Sequence, residues 1–229
     1  MKKEIINHIQ GGLIVSCQAR PGNPLKGADH MAAMAEAAEM GGAVGIRANA
    51  EDIIEIRKRV SLPIIGIYKT ERQLVYPYIT PDFEHAKKVA EYGADIIAID
   101  ATNRPRKEGT DVKELIRQIH EELDLLVMAD ISTFEEGVAA AEAGVDLVST
   151  TLSGYTTYSP YTETPDLELV KRLKSTIGVP VIAEGRYNDP EALASAWKAG
   201  AHAVVIGSAI TNVAFITERF IKQAQNFMN

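Results

Sequence analysis

Apolar residues along this chain fall into short, nearly unbroken runs, and between the runs they recur every three or four positions. Unbroken runs belong to strands covered on both faces, and the three-to-four spacing belongs to helices lying on them. Four runs arrive through a repeated unit in which a helix end, a glycine and a strand follow one another: 39–47, 91–100, 142–150 and 198–207. Four more lie between them, at 12–18, 63–69, 125–130 and 180–184. Two of these open on a proline, Pro63 and Pro180, which a first strand position tolerates because no ladder donor is needed there. The repeated glycine reads as a helix C-cap feeding the next strand. Helix starts are marked at Asn49 before Glu51 and Asp52, at Thr80-Pro81, at Ser132 with Glu135, at Thr164-Pro165 and at Asp189-Pro190.

Eight strands each followed by a helix predict a (β/α)8 TIM barrel, read as one catalytic domain over 1–229, with a doubly wound open sheet as the alternative. With 46% hydrophobic residues the chain can fill such a core, and no linker or low-complexity tract divides it. In a barrel, catalytic groups sit where strands end, so the strand tips form the candidate site. Odd strands end in Gln18, Lys69, Asp130 and Glu184, and even strands in Arg47, Asp100, Thr150 and Gly207. A solvated rim alone would not require that mixture of base, acids, amide and arginine.

Two loops add to this list. Gly207-Ser208-Ala209-Ile210-Thr211 follows the last strand and offers backbone amides to an anion, with Gly185 and Arg186 beside it after the seventh strand. Loops after strands seven and eight commonly hold phosphate in barrels. The 150–159 loop, which includes Thr151 and Ser153, is rich in hydroxyls and tyrosines, a composition that suits a sugar and also an ordinary exposed loop.

Charge and cysteine usage narrow the partners. Net charge is −7 and the basic residues are scattered, so neither nucleic acid nor a membrane surface is expected. Cys17 is the only cysteine, which rules out an internal disulfide framework and fits a reducing compartment. Without a long apolar segment the expected location is the cytoplasm. The five histidines show no ligand spacing, and Gly11-Gly12 and Gly41-Gly42 form no dinucleotide fingerprint, so neither metal nor cofactor is expected. Cys17 itself reads as a packed thiol.

Stretches 12–18, 63–67, 128–133, 149–156, 184–186 and 207–211 resemble the bacterial N-acetylmannosamine-6-phosphate 2-epimerases, and the resemblance covers essentially the whole chain. It implies interconversion of N-acetylmannosamine 6-phosphate and N-acetylglucosamine 6-phosphate in sialic acid and amino sugar catabolism, without metal or nucleotide. It implies Lys69 and Glu184 as the catalytic pair, and Gln18, Arg47, Asp130, Thr151 and Ser153 as substrate-binding residues. Gly185, Arg186, Gly207 and Ser208 would hold the phosphate, and a homodimer is compatible with the resemblance. In the family pattern an arginine commonly follows Ala209-Ile210-Thr211, where this chain has Asn212.

The residues agree with that chemistry. Inverting a carbon beside an aldehyde needs a base to remove its proton and a route for returning one to the other face. A lysine serves as base only if its reference pKa of ~10.4 is lowered, by burial or by a neighbour such as Arg47. A Schiff-base aldolase using Lys69 and a non-catalytic sugar-phosphate sensor are the alternative readings.

Overall fold

In the computed structural model, which describes residues 2–71, 75–106 and 111–225, the eight runs form one closed parallel barrel. Its strands are β1 (Leu13–Cys17), β2 (Gly45–Asn49), β3 (Ile64–Ile67), β4 (Ile96–Asp100), β5 (Leu126–Asp130), β6 (Leu147–Ser149), β7 (Val181–Glu184) and β8 (Ala203–Ile206). Each pairs with its sequence neighbours, and β8 closes on β1 through Leu13–Val204 and Ile14–Val205, which excludes the open sheet. The helices after them are α2 (Ala28–Met40), α3 (Ala50–Arg57), α4 (Phe83–Glu91), α5 (Val112–Gln118), α6 (Phe134–Glu142), α7 (Leu167–Thr176) and α8 (Pro190–Lys198). Two elements stand outside the repeat: α1 (Lys2–Ile9) ahead of β1, and the single turn α9 (Ser208–Thr211) between β8 and α10 (Val213–Gln225).

Successive strand residues face opposite ways, so the barrel holds two apolar systems. Val15, Ile46, Ile97, Val127, Val148 and Val204 point out beneath the helices. Ile14, Ile65, Ile67, Met128, Ile182 and Val205 fill the interior, and Ile9 of α1 joins them from the N-terminal end. The inward file turns polar only at the C-terminal ends. Ser16 and Gln18 follow Ile14, Lys69 follows Ile67, Asp130 follows Met128 and Glu184 follows Ile182. All the inward-facing charge of these strands therefore gathers at one mouth, where each buried group needs a partner.

The repeated glycine closes a Schellman motif in every copy. Gly42, Gly93, Gly144 and Gly200 have φ of 91°, 94°, 96° and 94°, a region that glycine enters without steric cost. The next amide reaches back across the turn in each case: Ala43 to the Ala38 carbonyl, Ala94 to Val89, Val145 to Ala140 and Ala201 to Ala196.

Helices α3 and α8 start at Asn49 and Asp189 as the sequence suggests, and three others start one or two residues later. Asp82 rather than Thr80 caps α4, Thr133 rather than Ser132 caps α6, and Asp166 rather than Thr164 caps α7. The displaced residues have other work. Thr80 is fully buried and accepts from the Tyr68 amide, while the Ser132 hydroxyl donates to Glu136, the residue that completes a capping box with Thr133.

Candidate active site

Lys69 stands two residues beyond β3, on a chain that doubles back. It forms an antiparallel bridge with Ile79, flanked by bonds from the Thr80 amide to the Tyr68 carbonyl (2.7 Å) and from the Thr70 amide to the Tyr78 carbonyl (3.0 Å). The Asp100 amide donates to the Ile79 carbonyl at 2.9 Å, which stitches this ribbon to β4. The backbone of Lys69 is thus held on an ordered element, and its side chain projects into the mouth.

There Lys69 Nζ donates to Gln18 Oε1 at 2.5 Å, and Gln18 Nε2 donates to Ser16 Oγ at 2.8 Å. Across the mouth Arg47, 1% exposed, grips the fully buried Asp130 with both nitrogens, Nη1 to Oδ1 at 3.0 Å and Nη2 to Oδ2 at 2.5 Å. The same Nη1 donates to Glu184 Oε2 at 2.6 Å. The Thr151 hydroxyl lies 2.6 Å from Asp130 Oδ1 and 3.1 Å from Glu184 Oε2. One guanidinium and one hydroxyl thus hold two carboxylates together. With Lys69 the ionisable side chains of the mouth number four, two basic and two acidic.

This crowding sets the proton affinities. Protein packed around the Lys69 amine, then the positive field of Arg47, lowers it to about 8, against an opposing pull from Glu184. Burial, with help from Asp130, holds the Glu184 carboxyl above its ordinary range despite Arg47. Burial alone would favour a neutral Arg47, but Asp130 and Glu184 outweigh it and keep the guanidinium firmly charged. The amine and the carboxyl are therefore both drawn toward neutrality in one mouth, an arrangement able to support acid and base chemistry near pH 7.

Gln18, Arg47, Lys69, Asp130, Thr151 and Glu184 are thus brought together. The remaining candidates are placed differently. Ser153 is buried and its hydroxyl donates to Asp166 at 2.7 Å, tying the 150–166 loop to the start of α7. Gly185 and Arg186 both have positive φ, 110° and 63°, so the chain turns sharply after β7. The Arg186 guanidinium reaches toward that loop, with Nε donating to the Thr164 carbonyl at 3.0 Å and Nη2 to the Ser153 carbonyl at 2.8 Å. It lies over the ring of Tyr155, and Nη1 is buried without a partner among the described residues. Gly207 precedes α9, whose first amides, Ser208 and Ala209, are the ones a helix leaves without partners. The Asn212 side chain accepts from the Phe215 amide at 3.2 Å, so the residue standing where the family pattern has arginine starts α10.

Thr150, one of the strand-tip candidates, has a positioning role that its residue type did not announce. Its hydroxyl accepts from the Glu184 amide and donates to the Glu184 carbonyl, both at 3.0 Å, and so braces the backbone that carries the acid. A hydroxyl at the end of a short strand was the one available signal. Asp100, by contrast, faces Arg104 and Thr102 and closes its own loop. Cys17 is fully buried, and burial pushes its thiol up to about 12, as befits a packed side chain. Among the described residues, no group of three or more His, Cys, Asp or Glu side chains could hold a metal ion. No helix among them is long and apolar enough to cross a membrane.

Fold and site together define a (β/α)8 barrel enzyme equipped to move protons on a small substrate. Residues 31–226 match the model of the NanE family, "Putative N-acetylmannosamine-6-phosphate epimerase". Proteins named "Putative N-acetylmannosamine-6-phosphate 2-epimerase" are 53% identical in Caldanaerobacter subterraneus subsp. tengcongensis, over 96% of this chain and 94% of the relative, and 49% identical in Clostridioides difficile, over 95% and 98%. The solved N-acetylmannosamine-6-phosphate 2-epimerase of Clostridium perfringens superposes with a TM-score of 0.92 at 45% identity, covering 95% of each chain. A thiamine phosphate pyrophosphorylase from Pyrococcus furiosus, at 17% identity and a TM-score of 0.63, shares the fold alone. This chain belongs to the N-acetylmannosamine-6-phosphate epimerase family, and its enzyme class is isomerase.

Proposed function

We propose that residues 1–229 act as one catalytic domain that interconverts N-acetylmannosamine 6-phosphate and N-acetylglucosamine 6-phosphate by moving the C2 proton, in the breakdown of sialic acid and amino sugars. The observation that carries this is the placing of Lys69, lowered to about 8, in the same mouth as Glu184. Opening the sugar ring exposes the C1 aldehyde and makes the C2 proton acidic. Neutral Lys69 takes that proton and leaves an enolate, whose negative charge the fixed guanidinium of Arg47 favours. Returning a proton to C2 from the opposite face gives the epimer. Arg47 and Thr151 both meet Oε2 of Glu184, so Oε1 is the oxygen available to pass a proton to or from the sugar.

The test is the reaction of N-acetylmannosamine 6-phosphate in deuterium oxide followed by proton NMR. Deuterium is expected at C2 and at no other carbon. The sign of the pH dependence follows from the base: the rate rises as Lys69 loses its proton, with an acid limb near pH 8. Epimerisation that leaves hydrogen at C2 throughout would overturn exchange through the lysine. Activity is expected to survive dialysis against a chelator. Borohydride trapping of a covalent sugar adduct would move the assignment to Schiff-base chemistry.

Phosphate would lie at the Gly185–Arg186 turn and the Gly207–Ser208 turn. Asn212 brings no charge, so Arg186, with a donor to spare at Nη1, is the cation offered. Arg186→Ala is expected to raise KM for the phosphorylated sugar far more than it lowers kcat, because a remote contact serves ground and transition states alike. Equal losses on phosphorylated and unphosphorylated N-acetylmannosamine would instead make Arg186 a latch for the 150–166 loop.

A homodimer and a cytoplasmic location complete the proposal. Helix α10 buries none of its described residues and leaves Val213, Phe220 and Ile221 58%, 72% and 54% exposed, which supports pairing through this helix. Sedimentation as a dimer that Phe220→Glu dissociates is the expected result. A phosphorylated sugar, being charged, is retained inside cells, which supports the location.

A further inference from the structure

Arg47 and Asn49 follow one another on the inward face of β2. Arg47 pairs in register with Ile65 and Asn49 with Ile67, and both isoleucines fill the barrel interior. Lys69 comes two residues after Ile67, so Asn49 sits beside the strand that carries the amine, two residues short of it. Each of the β2 pair has an unmet polar atom. Arg47 Nε and Asn49 Oδ1 are buried, in residues 1% and 6% exposed, and neither finds a partner among the described residues.

The polarity of both atoms is fixed. A guanidinium Nε–H only donates. The Asn49 NH2 donates to Asp52, whose carboxyl is held up at about 6 by burial and is ionised, able only to accept, above that pH. Turning the amide over would set its oxygen against that carboxylate, so Oδ1 is the end left open. The start of α3 does not use it either, since its N-cap makes no side-chain bond.

A buried donor and a buried acceptor left without partners are costly, and two of them side by side at one mouth point to a group that meets both. A trans secondary amide turns its C=O and its N–H in opposite directions, and so needs a donor on one side and an acceptor on the other. Arg47 and Asn49, ~7 Å apart along one strand, present that pair. The sugar of the proposed reaction carries one such group, the acetamido substituent, on the same C2 whose proton Lys69 takes. We propose that Arg47 Nε and Asn49 Oδ1 read this acetamido group, Nε donating to its carbonyl and Oδ1 accepting from its N–H, which makes Asn49 a specificity-determining residue. The inference rests on the epimerase reading of the mouth. It also gives the amine its aim, because C2 is then held by its own substituent next to the strand that leads to Lys69.

The experiment is calorimetry with three C1-reduced ligands, which bind without turning over. They are N-acetylglucosaminitol 6-phosphate, its ketone isostere in which CH2 replaces the amide N–H, and 2-deoxyglucitol 6-phosphate, which lacks the whole group. Wild type should bind the amide roughly tenfold more tightly than the ketone, and the ketone roughly tenfold more tightly than the 2-deoxy ligand, one hydrogen bond being lost at each step. Asn49→Ser keeps a residue suited to a helix start but is too short to reach the sugar. It should bind amide and ketone within about twofold of each other and keep the preference for ketone over 2-deoxy. Amide and ketone bound alike by wild type would overturn the role of Asn49, as would an undiminished preference for the amide in Asn49→Ser. Ketone and 2-deoxy ligands bound alike by wild type would overturn the role of Arg47 Nε. A wild type that discriminates these ligands through Asn49 yet fails to epimerise N-acetylmannosamine 6-phosphate would refute the reaction and leave the recognition of the acetamido group standing.

Discussion

Lys69→Ala is expected to abolish epimerisation and C2 exchange, with a loss of kcat of about a thousandfold or more. General base catalysis by one positioned side chain contributes ~10²–10⁴-fold, and no other described lysine stands at a strand tip of this mouth. The barrel should survive. The bonds that hold its ribbon are made by backbone atoms of Tyr68, Thr70, Tyr78, Ile79, Thr80 and Asp100 and by the Thr80 hydroxyl, none of which the substitution removes. Lys69→Arg is the sharper variant. It keeps the charge that balances Asp130 and Glu184, yet a guanidinium does not lose its proton at working pH, so it should be equally inactive. Binding of the sugar phosphate measured by calorimetry should persist in both. Substantial turnover by either variant would take Lys69 out of the mechanism.

Arg47→Leu should be the most damaging substitution for stability. Leucine approximates the volume of the buried stem but leaves Asp130 and Glu184, 0% and 15% exposed, facing each other without the cation that joins them. Removing one member of a buried ion cluster costs about 3–5 kcal/mol, because the remaining charge is uncompensated. Urea denaturation should register that loss, and epimerisation should disappear with it. Asp130→Asn with Arg47 intact separates the two effects, since it relieves one carboxylate while leaving the guanidinium to hold Glu184. It should cost less stability than Arg47→Leu. A stability loss below about 1 kcal/mol for Arg47→Leu would mean that water already shares the work of the guanidinium.

The barrel and the mouth were legible along the chain because both follow from local rules. A strand covered on two faces must be apolar throughout, and its side chains alternate, so Ile14, Ser16 and Gln18 lie on one side and Val15 and Cys17 on the other. Their places at the ends of odd strands put Gln18, Lys69, Asp130 and Glu184 at one end of the barrel, and the period of two turns them inward. The Schellman glycines were equally local, since a helix that must stop and turn into a strand needs a residue that enters positive φ freely. What the tertiary structure alone decided were the partners. Asp100 and Asp130 both end strands, yet only Asp130 meets Arg47, because Arg104 comes back along the chain to claim Asp100. Residue type gave no sign that Thr150 would brace Glu184 across two strands, or that Arg186 would turn toward the carbonyls of Ser153 and Thr164. It was equally silent on Asn212 capping α10. Hydroxyls, amides and guanidinium groups bond to whatever the fold brings within reach. Their direction is a property of the closed barrel, whereas the alternation that brought them to its mouth belongs to each strand by itself.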